Sequence, residues 1–315
     1  MKITAGLGCI DDYERLVKAG ADEVFCGFVP YEWNKTYGTI FPLNRREVLY
    51  YNVQINSYED MKILKRMEKK YNVPVTIAFN YLYYIEEQYK VIEEIMRKLI
   101  KIGFKDFIIA DLALLIYLKD KNLECSIHLS GECAELNSLS IEFFNKFKIS
   151  RYIFHRKNTI DDMKSCIGRY KGIEYEAFVL NEKCHYTGAF CSSFHCDELI
   201  HMCKVPYELG RINKKSKTLE CLSTDNNFEL EQEEAYNFGN TGCGICALRR
   251  LNDAGVTHLK VVGRGNYIEL MERDVAILRK ALDILETTKD EKEFVAKIKS
   301  QVLTKKCINN CYYNQ

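Results

Sequence analysis

Strand-like runs and helix-like segments alternate along almost the whole chain, and no other feature restricts the fold as much. Short apolar, β-branched runs stand at 2–7, 22–28, 73–79, 104–110, 124–130, 150–155, 173–180 and 258–263. Helical patterns lie between most of them, as at 11–19, 57–70, 85–102, 138–147 and 159–169. In 85–102, Val91, Ile92, Ile95, Leu99 and Ile102 fall on one helical face. Strands joined through helices pair in parallel, because a parallel neighbour needs a crossover. Eight such units predict a (β/α)8 barrel, in which functional groups cluster at the C-terminal ends of the strands. A doubly wound open sheet is the runner-up. The expected layout is one domain over 1–300 and a polar tail over 301–315, KKCINNCYYNQ at its end.

Charge and hydropathy narrow the class. Hydrophobic residues at 47% and charged residues at 28% exclude a chain that is mainly disordered. With 45 Lys and Arg against 44 Asp and Glu, the whole protein exerts no pull on nucleic acid, although a local basic patch stays open. No apolar run reaches membrane-spanning length, and the N-terminal MKITAGL reads as a strand rather than a signal peptide. A cytoplasmic location is the expectation.

Fourteen cysteines do not suit an ordinary enzyme in a reducing compartment. Cys26, Cys125, Cys166 and Cys221 are isolated and read as small buried hydrophobes. Cys9 and Cys133 lie near strand ends and read the same way. Six others crowd the connection 181–247 between the seventh and eighth strands: Cys184, Cys191, Cys196, Cys203, Cys243 and Cys246. A connection this long is usually functional or disordered, and its cysteines together with His185, His195 and His201 favour function. Four thiolates can close a zinc site or hold an iron–sulfur cluster. Within this crowd only Cys243 and Cys246 have the short C-x2-C spacing of a zinc knuckle, so spread single ligands favour iron–sulfur over zinc. Cys307 and Cys311 read as part of a frayed end.

One block carries a resemblance. Glu176–Phe178, then Cys184-x3-Gly188-x2-Cys191-Ser192, then Cys203-Lys204 and Cys243, precede Leu251-Asn252-Asp253-Ala254-Gly255-Val256 and Leu259-Lys260-Val261-Val262-Gly263-Arg264. This resembles the signature of the collagenase-like peptidases of unknown catalytic type. Weaker matches are Ala19-Gly20-Ala21-Asp22, Gly27, Asn80, Ala110-Asp111, His128-Leu129-Ser130 and Asn137. The sequence departs from that pattern at Asn181-Glu182, where the family has Gly-Ala, at Arg156-Lys157 for Arg-Glu, and at Val262 for Glu. In size the chain is similar to the anaerobic ubiquinone-biosynthesis branch. The resemblance implies a four-iron four-sulfur cluster on Cys184, Cys191, Cys203 and Cys243, with Cys246 competing for the fourth place. It implies oxygen-independent hydroxylation of a small molecule or RNA, a prephenate-like oxygen donor and a related partner subunit. The family label also names a rival, a peptidase with zinc as the alternative metal. No G-x-S-x-G or H-E-x-x-H supports that rival. A non-catalytic, cluster-bearing partner subunit is the third reading.

Individual residues complete the expectation. Arg264 follows the eighth strand, where an arginine can clamp a carboxylate. Arg156 ends the sixth strand and suits substrate-anion binding or structural pairing. His128 shares a strand face with Ser130 and reads as a proton donor or a satisfied core histidine. Lys260 either lines the mouth or packs outward. Asn80 and Asp111 face the mouth or cap helices. Tyr31, Trp33 and Tyr37, in the aromatic excursion 29–52, roof the site or anchor the loop.

Overall fold

The structure is a computed structural model that describes residues 1–38, 41–45, 53–133, 136–184, 210–212, 219–221, 238–303, 307 and 309–313. Eight parallel strands close into a barrel: β1 (Lys2–Leu7), β2 (Glu23–Gly27), β3 (Val75–Phe79), β4 (Asp106–Ile109), β5 (Ser126–Leu129), β6 (Ile149–Ile153), β7 (Glu174–Leu180) and, after the long insertion, β10 (His258–Val261). The order around the barrel is β1, β10, β7, β6, β5, β4, β3, β2, and β1 pairs with β10 through Lys2–His258 to Ala5–Val261. All eight strand-like runs form strands, with ends within two residues of the expected ones. Inside the insertion, β8 (Gly210–Ile212) and β9 (Leu219–Cys221) pair antiparallel.

Each strand divides its residues between two surroundings, because neighbours on a strand point to opposite faces. In β2, Glu23 and Phe25 contact side chains across the lumen, while buried Val24 and Cys26 occupy the alternate positions, toward the helical layer. That layer includes α1 (Asp12–Ala19), α3 (Tyr58–Tyr71), α4 (Glu86–Ile102), α5 (Leu112–Leu118), α6 (Ser138–Phe144), α7 (Ile160–Arg169), α8 (Leu248–Ala254) and α9 (Ile268–Glu286). The α4 stripe Ile92, Ile95, Met96 and Leu99 is buried, as the 3.6-residue period requires. Ser57 caps α3 by accepting from the Asp60 N–H, and Thr159 caps α7 through Asp162 in the same way. Barrel closure is held by α1 and α9: Arg279 donates to the Gly20 carbonyl and pairs with Asp22, whose carboxylate accepts from the Ile3 N–H.

The excursion after β2 contains a helix, α2 (Tyr31–Tyr37). Trp33 is fully buried there, donates Nε1 to the Phe41 carbonyl at 2.8 Å and packs on Tyr37 and Tyr84, so it anchors the loop. The chain end also differs from the frayed reading. After α10 (Glu291–Gln301), Tyr312 and Tyr313 are buried, and Tyr313 Oη donates to the Phe178 carbonyl at 2.7 Å. Two amphipathic rings outweigh the polar residues around them. Among the described residues no helix is long and apolar enough to cross a membrane.

Candidate active site at the barrel mouth

Four cations converge at the C-terminal end of the strands. Arg45, Arg156, Lys260 and Arg264 line a cavity of about 60 Å³ together with Glu132 and Glu182. Arg264 arrives through the turn after β10, where Gly263 takes φ 132° and a Cβ would meet the Asn266 side chain at 2.5 Å. Its Nη2 donates to Asn44 Oδ1 at 3.0 Å, and Asn44 exchanges two amide bonds with Gln54 at 2.9 and 3.0 Å. Arg156 follows β6, is mostly buried, meets Glu132 at 2.7 Å and lies 3.9 Å from the Phe178 ring centroid. Arg45 approaches the same Glu132 at 3.7 Å, and Asn80 fixes its loop by accepting from the Arg45 N–H. Lys260 is paired with Glu176, so the three arginines face Glu132 and Glu182 and still leave room for negative charge, and guanidinium forks suit carboxylate or phosphate oxygens.

The backbone of β2 comes close to this frame. A Cβ on Gly27 would fall 2.0 Å from Gln54 Oε1, 2.3 Å from Arg264 Nη1 and 2.8 Å from Asn44 Nδ2. Gly27→Ala therefore costs about 1–3 kcal/mol, as overpacking does, and displaces Arg264. Urea unfolding and dicarboxylate titration of the variant check both effects.

His128 stands elsewhere. It lines a larger cavity of about 410 Å³ at the N-terminal ends of the strands, with Glu23, Asp106, Arg151 and Glu174. Its Nε2 lies 3.7 Å from Asp106 Oδ1. Burial, and then the charge of Arg151, pull its pKa down to about 3, so the ring is neutral at neutral pH. The structure therefore brings Arg156 and Arg264 together and separates both from His128. A folded-state pKa below the unfolded value near 6.5 means the unfolded chain binds more protons between them. Stability is retained above 6.5 and lost as pH falls toward 3. In His128→Gln this loss disappears, so its stability relative to the parent improves by about 3 kcal/mol between pH 7 and pH 4. Urea midpoints across that range are the check.

Lys260 points inward, with Nζ 2.6 Å from Glu176 Oε1 and 3.8 Å from the Phe25 ring centroid. Asp111 is a cap: it accepts from the Ala113 and Tyr84 N–H groups. Arg45, Asn44, Gln54 and Glu132 are mouth residues that sequence reasoning did not single out. Glu132 could have been found among the polar residues that closely follow β5, whereas Arg45, Asn44 and Gln54 lie in the irregular excursion after β2, where no such signal places them.

Of the expected cluster ligands, Cys184 and Cys243 are described, and Cys191 and Cys203 lie outside the described residues, as do Cys196, His185, His195 and His201. Cys243 bridges Leu180 at the end of β7, and the Asn181 and Lys183 N–H groups bond to Gly242 and Thr241. Asn181 and Glu182 take φ 67° and 50°. The departure from Gly at Asn181 thus falls on a left-handed residue, a conformation that Asn tolerates. Cys184 interacts electrostatically with Arg156 and Tyr312 at the mouth. Cys243 interacts with Cys246, Cys307 and Cys311, and burial pushes its thiol up to about 12. Soft thiol donors fit iron or zinc, but the two described candidates have different neighbours. Among the described residues no three His, Cys, Asp or Glu side chains are grouped to hold a metal ion.

The model of the family described as peptidase family U32 matches residues 8–315. Similar solved structures include that of the U32 peptidase Mk0906, at 11% identity and TM-score 0.44, covering 57% of this chain and 69% of that one. CdNal from Clostridium difficile in complex with mannosamine is 8% identical with TM-score 0.50, covering 96% of this chain and 82% of that one. Thiamine phosphate pyrophosphorylase from Pyrococcus furiosus is 9% identical with TM-score 0.46, covering 90% and 96%. The likeness to CdNal concerns the fold alone. The comparison with curated proteins gave no match.

Proposed function

Because the chain belongs to peptidase family U32, we propose that it is a redox member of that family, acting on a small anionic molecule at the barrel mouth. The proposed reaction is an oxygen-independent hydroxylation or a related modification, with a carboxylate-bearing, prephenate-like oxygen donor. The supporting observation is the cluster of Arg45, Arg156, Lys260 and Arg264 at one end of the lumen. Arg156 and Arg264 bind carboxylates, Glu132 orients Arg156, and the Phe25 and Phe178 rings wall an unsaturated substrate. Cys184, Cys191 and Cys203 would hold the four-iron four-sulfur cluster, with Cys243 the fourth candidate. Such a cluster supplies one-electron transfer when bound. Peptide hydrolysis is the less favoured reading, since no histidine is among the described residues lining the mouth.

Anaerobically purified protein should carry about four irons and four sulfides per chain, and Cys184→Ala should lose them. A colourless protein without iron that cleaves a peptide would overturn the reading. An RNA substrate draws on a different feature, an open hollow of about 510 Å³ lined by Lys62, Lys65, Arg66 and Lys69 of α3 and Lys98 and Lys101 of α4. RNA binding that vanishes in Lys65→Glu/Lys98→Glu would favour it over the small molecule.

A further inference from the structure

We propose that the cavity at the N-terminal end of the barrel is a second binding site, which takes the head of a small primary alkylammonium ion. Its volume of about 410 Å³ falls within the range of small-molecule sites, about 300–1,000 Å³. Strand register builds it. Thr76, Asp106 and Ser126 are partners across β3, β4 and β5, and His128, Arg151 and Glu174 are partners across β5, β6 and β7. Ser126 and His128 stand two apart on one strand, so both rows share the lumen face.

The charge of this hollow is not balanced. Glu23, Asp106 and Glu174 line it against Arg151 alone. The N–H groups of Arg151 are already engaged by Glu23, Glu174, Glu176 and His258, so none is left for an anion. Counting the His258 ring, which meets Glu23 at 3.2 Å, as a second cation would still leave one carboxylate in excess. Among the described residues Asp106 pairs with no Lys or Arg; its neighbour is His128 Nε2 at 3.7 Å. Burial, and then the charge of Glu23, raise the Asp106 carboxyl. A bound cation relieves both costs.

The second observation is His128 itself. The residue is 3% exposed, lines the cavity, and its Nδ1 has no hydrogen-bond partner. A buried polar atom in that state calls for a ligand. The tautomer with its proton on Nε2, the nitrogen near Asp106, presents Nδ1 as an acceptor. An acceptor nitrogen beside an uncompensated carboxylate suits a cation with N–H donors. A primary ammonium has three, enough for Asp106, His128 Nδ1 and the hydroxyl of Thr76 or Ser126. Pro74, Ile149 and Ile173 supply an apolar wall for its carbon chain. Among the described residues no three His, Cys, Asp or Glu side chains are grouped to hold a metal ion, which leaves the charge to an organic cation. The site is separate from the mouth: Glu176, which lines neither cavity, bonds Arg151 on one side and Lys260 on the other.

Calorimetric titration of the full chain with butylammonium at pH 7 is the test. Tetramethylammonium, which keeps the charge but has no N–H, is the comparison. One saturable site per chain is expected for butylammonium, about tenfold or more tighter than for tetramethylammonium, the worth of one hydrogen bond to a charged group. Asp106→Asn and His128→Phe should each weaken butylammonium by a similar factor. In the parent, with no substitution, the nitrogen NMR signal of His128 Nδ1 should shift as butylammonium binds. Cys184→Ala, altered at the other end of the lumen, should bind it as the parent does, whatever becomes of its iron. Nα-acetyl-lysine amide carries the same head on a peptide stem, and tighter binding of it than of butylammonium would overturn the free amine in favour of a lysine side chain. No saturable binding of butylammonium, equal affinity for the two cations, unchanged affinity in Asp106→Asn, or a His128 signal that stays still while butylammonium binds would overturn the site.

Discussion

Arg151→Met will lower the unfolding free energy at pH 7 by about 3–5 kcal/mol, the cost of leaving buried charges without their partner. The residue sits on β6, opposite β2 in the ring of strands, so its bonds to Glu23 at 2.7 and 2.9 Å cross the lumen. It also bonds to Glu174 at 2.8 Å and to Glu176 at 3.1 Å, and meets His258 Nε2 at 2.9 Å. Burial alone would raise the Glu23 carboxyl; bonds from His258 and Arg151 outweigh it and hold the group well below the usual range. Glu176 is lowered likewise, chiefly by Lys260 and Arg151 acting against burial. A carboxylate with a depressed folded pKa stabilises above its unfolded pKa and loses that contribution as pH falls. In Arg151→Met this contribution shrinks, because Glu23 keeps only His258 and Glu176 only Lys260, and burial then favours the protonated carboxyls more strongly. The gap between parent and variant is therefore widest at pH 7 and narrows toward pH 4. Urea unfolding at the two pH values measures it. A loss below about 1 kcal/mol would mean that water compensates the carboxylates, as at a surface pair.

The same lumen shows what the sequence can and cannot display. The strands are legible because residues such as Val24, Cys26, Ile77 and Val179 recur as apolar positions, and turn residues interrupt them. The polar positions between them are also visible, but their partners are not. Glu23 and Arg151 lie 128 positions apart and meet only because the barrel closes. At the mouth, Arg156 and Arg264 are legible from the rule that strand ends carry function. Arg45, Asn44 and Gln54 come from an irregular excursion with no periodicity to place it. His128 is legible as sharing a strand face with Ser130, but periodicity tells neither whether that face is the lumen nor which end of the strand its neighbours open to. The tail illustrates a competition of signals. Its Lys, Asn and Gln suggest fraying, whereas the Tyr312–Tyr313 pair supplies buried rings with hydroxyls that bond the Asn181 and Phe178 carbonyls.

Arg264→Ala should weaken binding of a small dicarboxylate such as malonate by about 10–150-fold, with Arg264→Lys intermediate. A hydrogen bond to a charged group contributes about 1.5–3 kcal/mol, and each 1.4 kcal/mol is about tenfold in affinity. Lysine keeps the charge but not the two-pronged geometry, so it restores attraction without restoring orientation. The Asn44–Gln54 amide pair positions the guanidinium from one side, and the Phe25 ring lies 5.9 Å from it on another. Gly27→Ala should shift affinity in the same direction, because it crowds the same Nη1. Calorimetric titration of folded variants separates this effect from the stability cost of each change. Equal affinity in parent and Arg264→Ala would remove Arg264 from the site and leave Arg45 and Arg156, joined through Glu132, as the anion-binding pair. Loss of affinity in Arg264→Ala with full recovery in Arg264→Lys would show that charge alone matters there. The mouth would then act as an electrostatic funnel rather than a shaped carboxylate clamp.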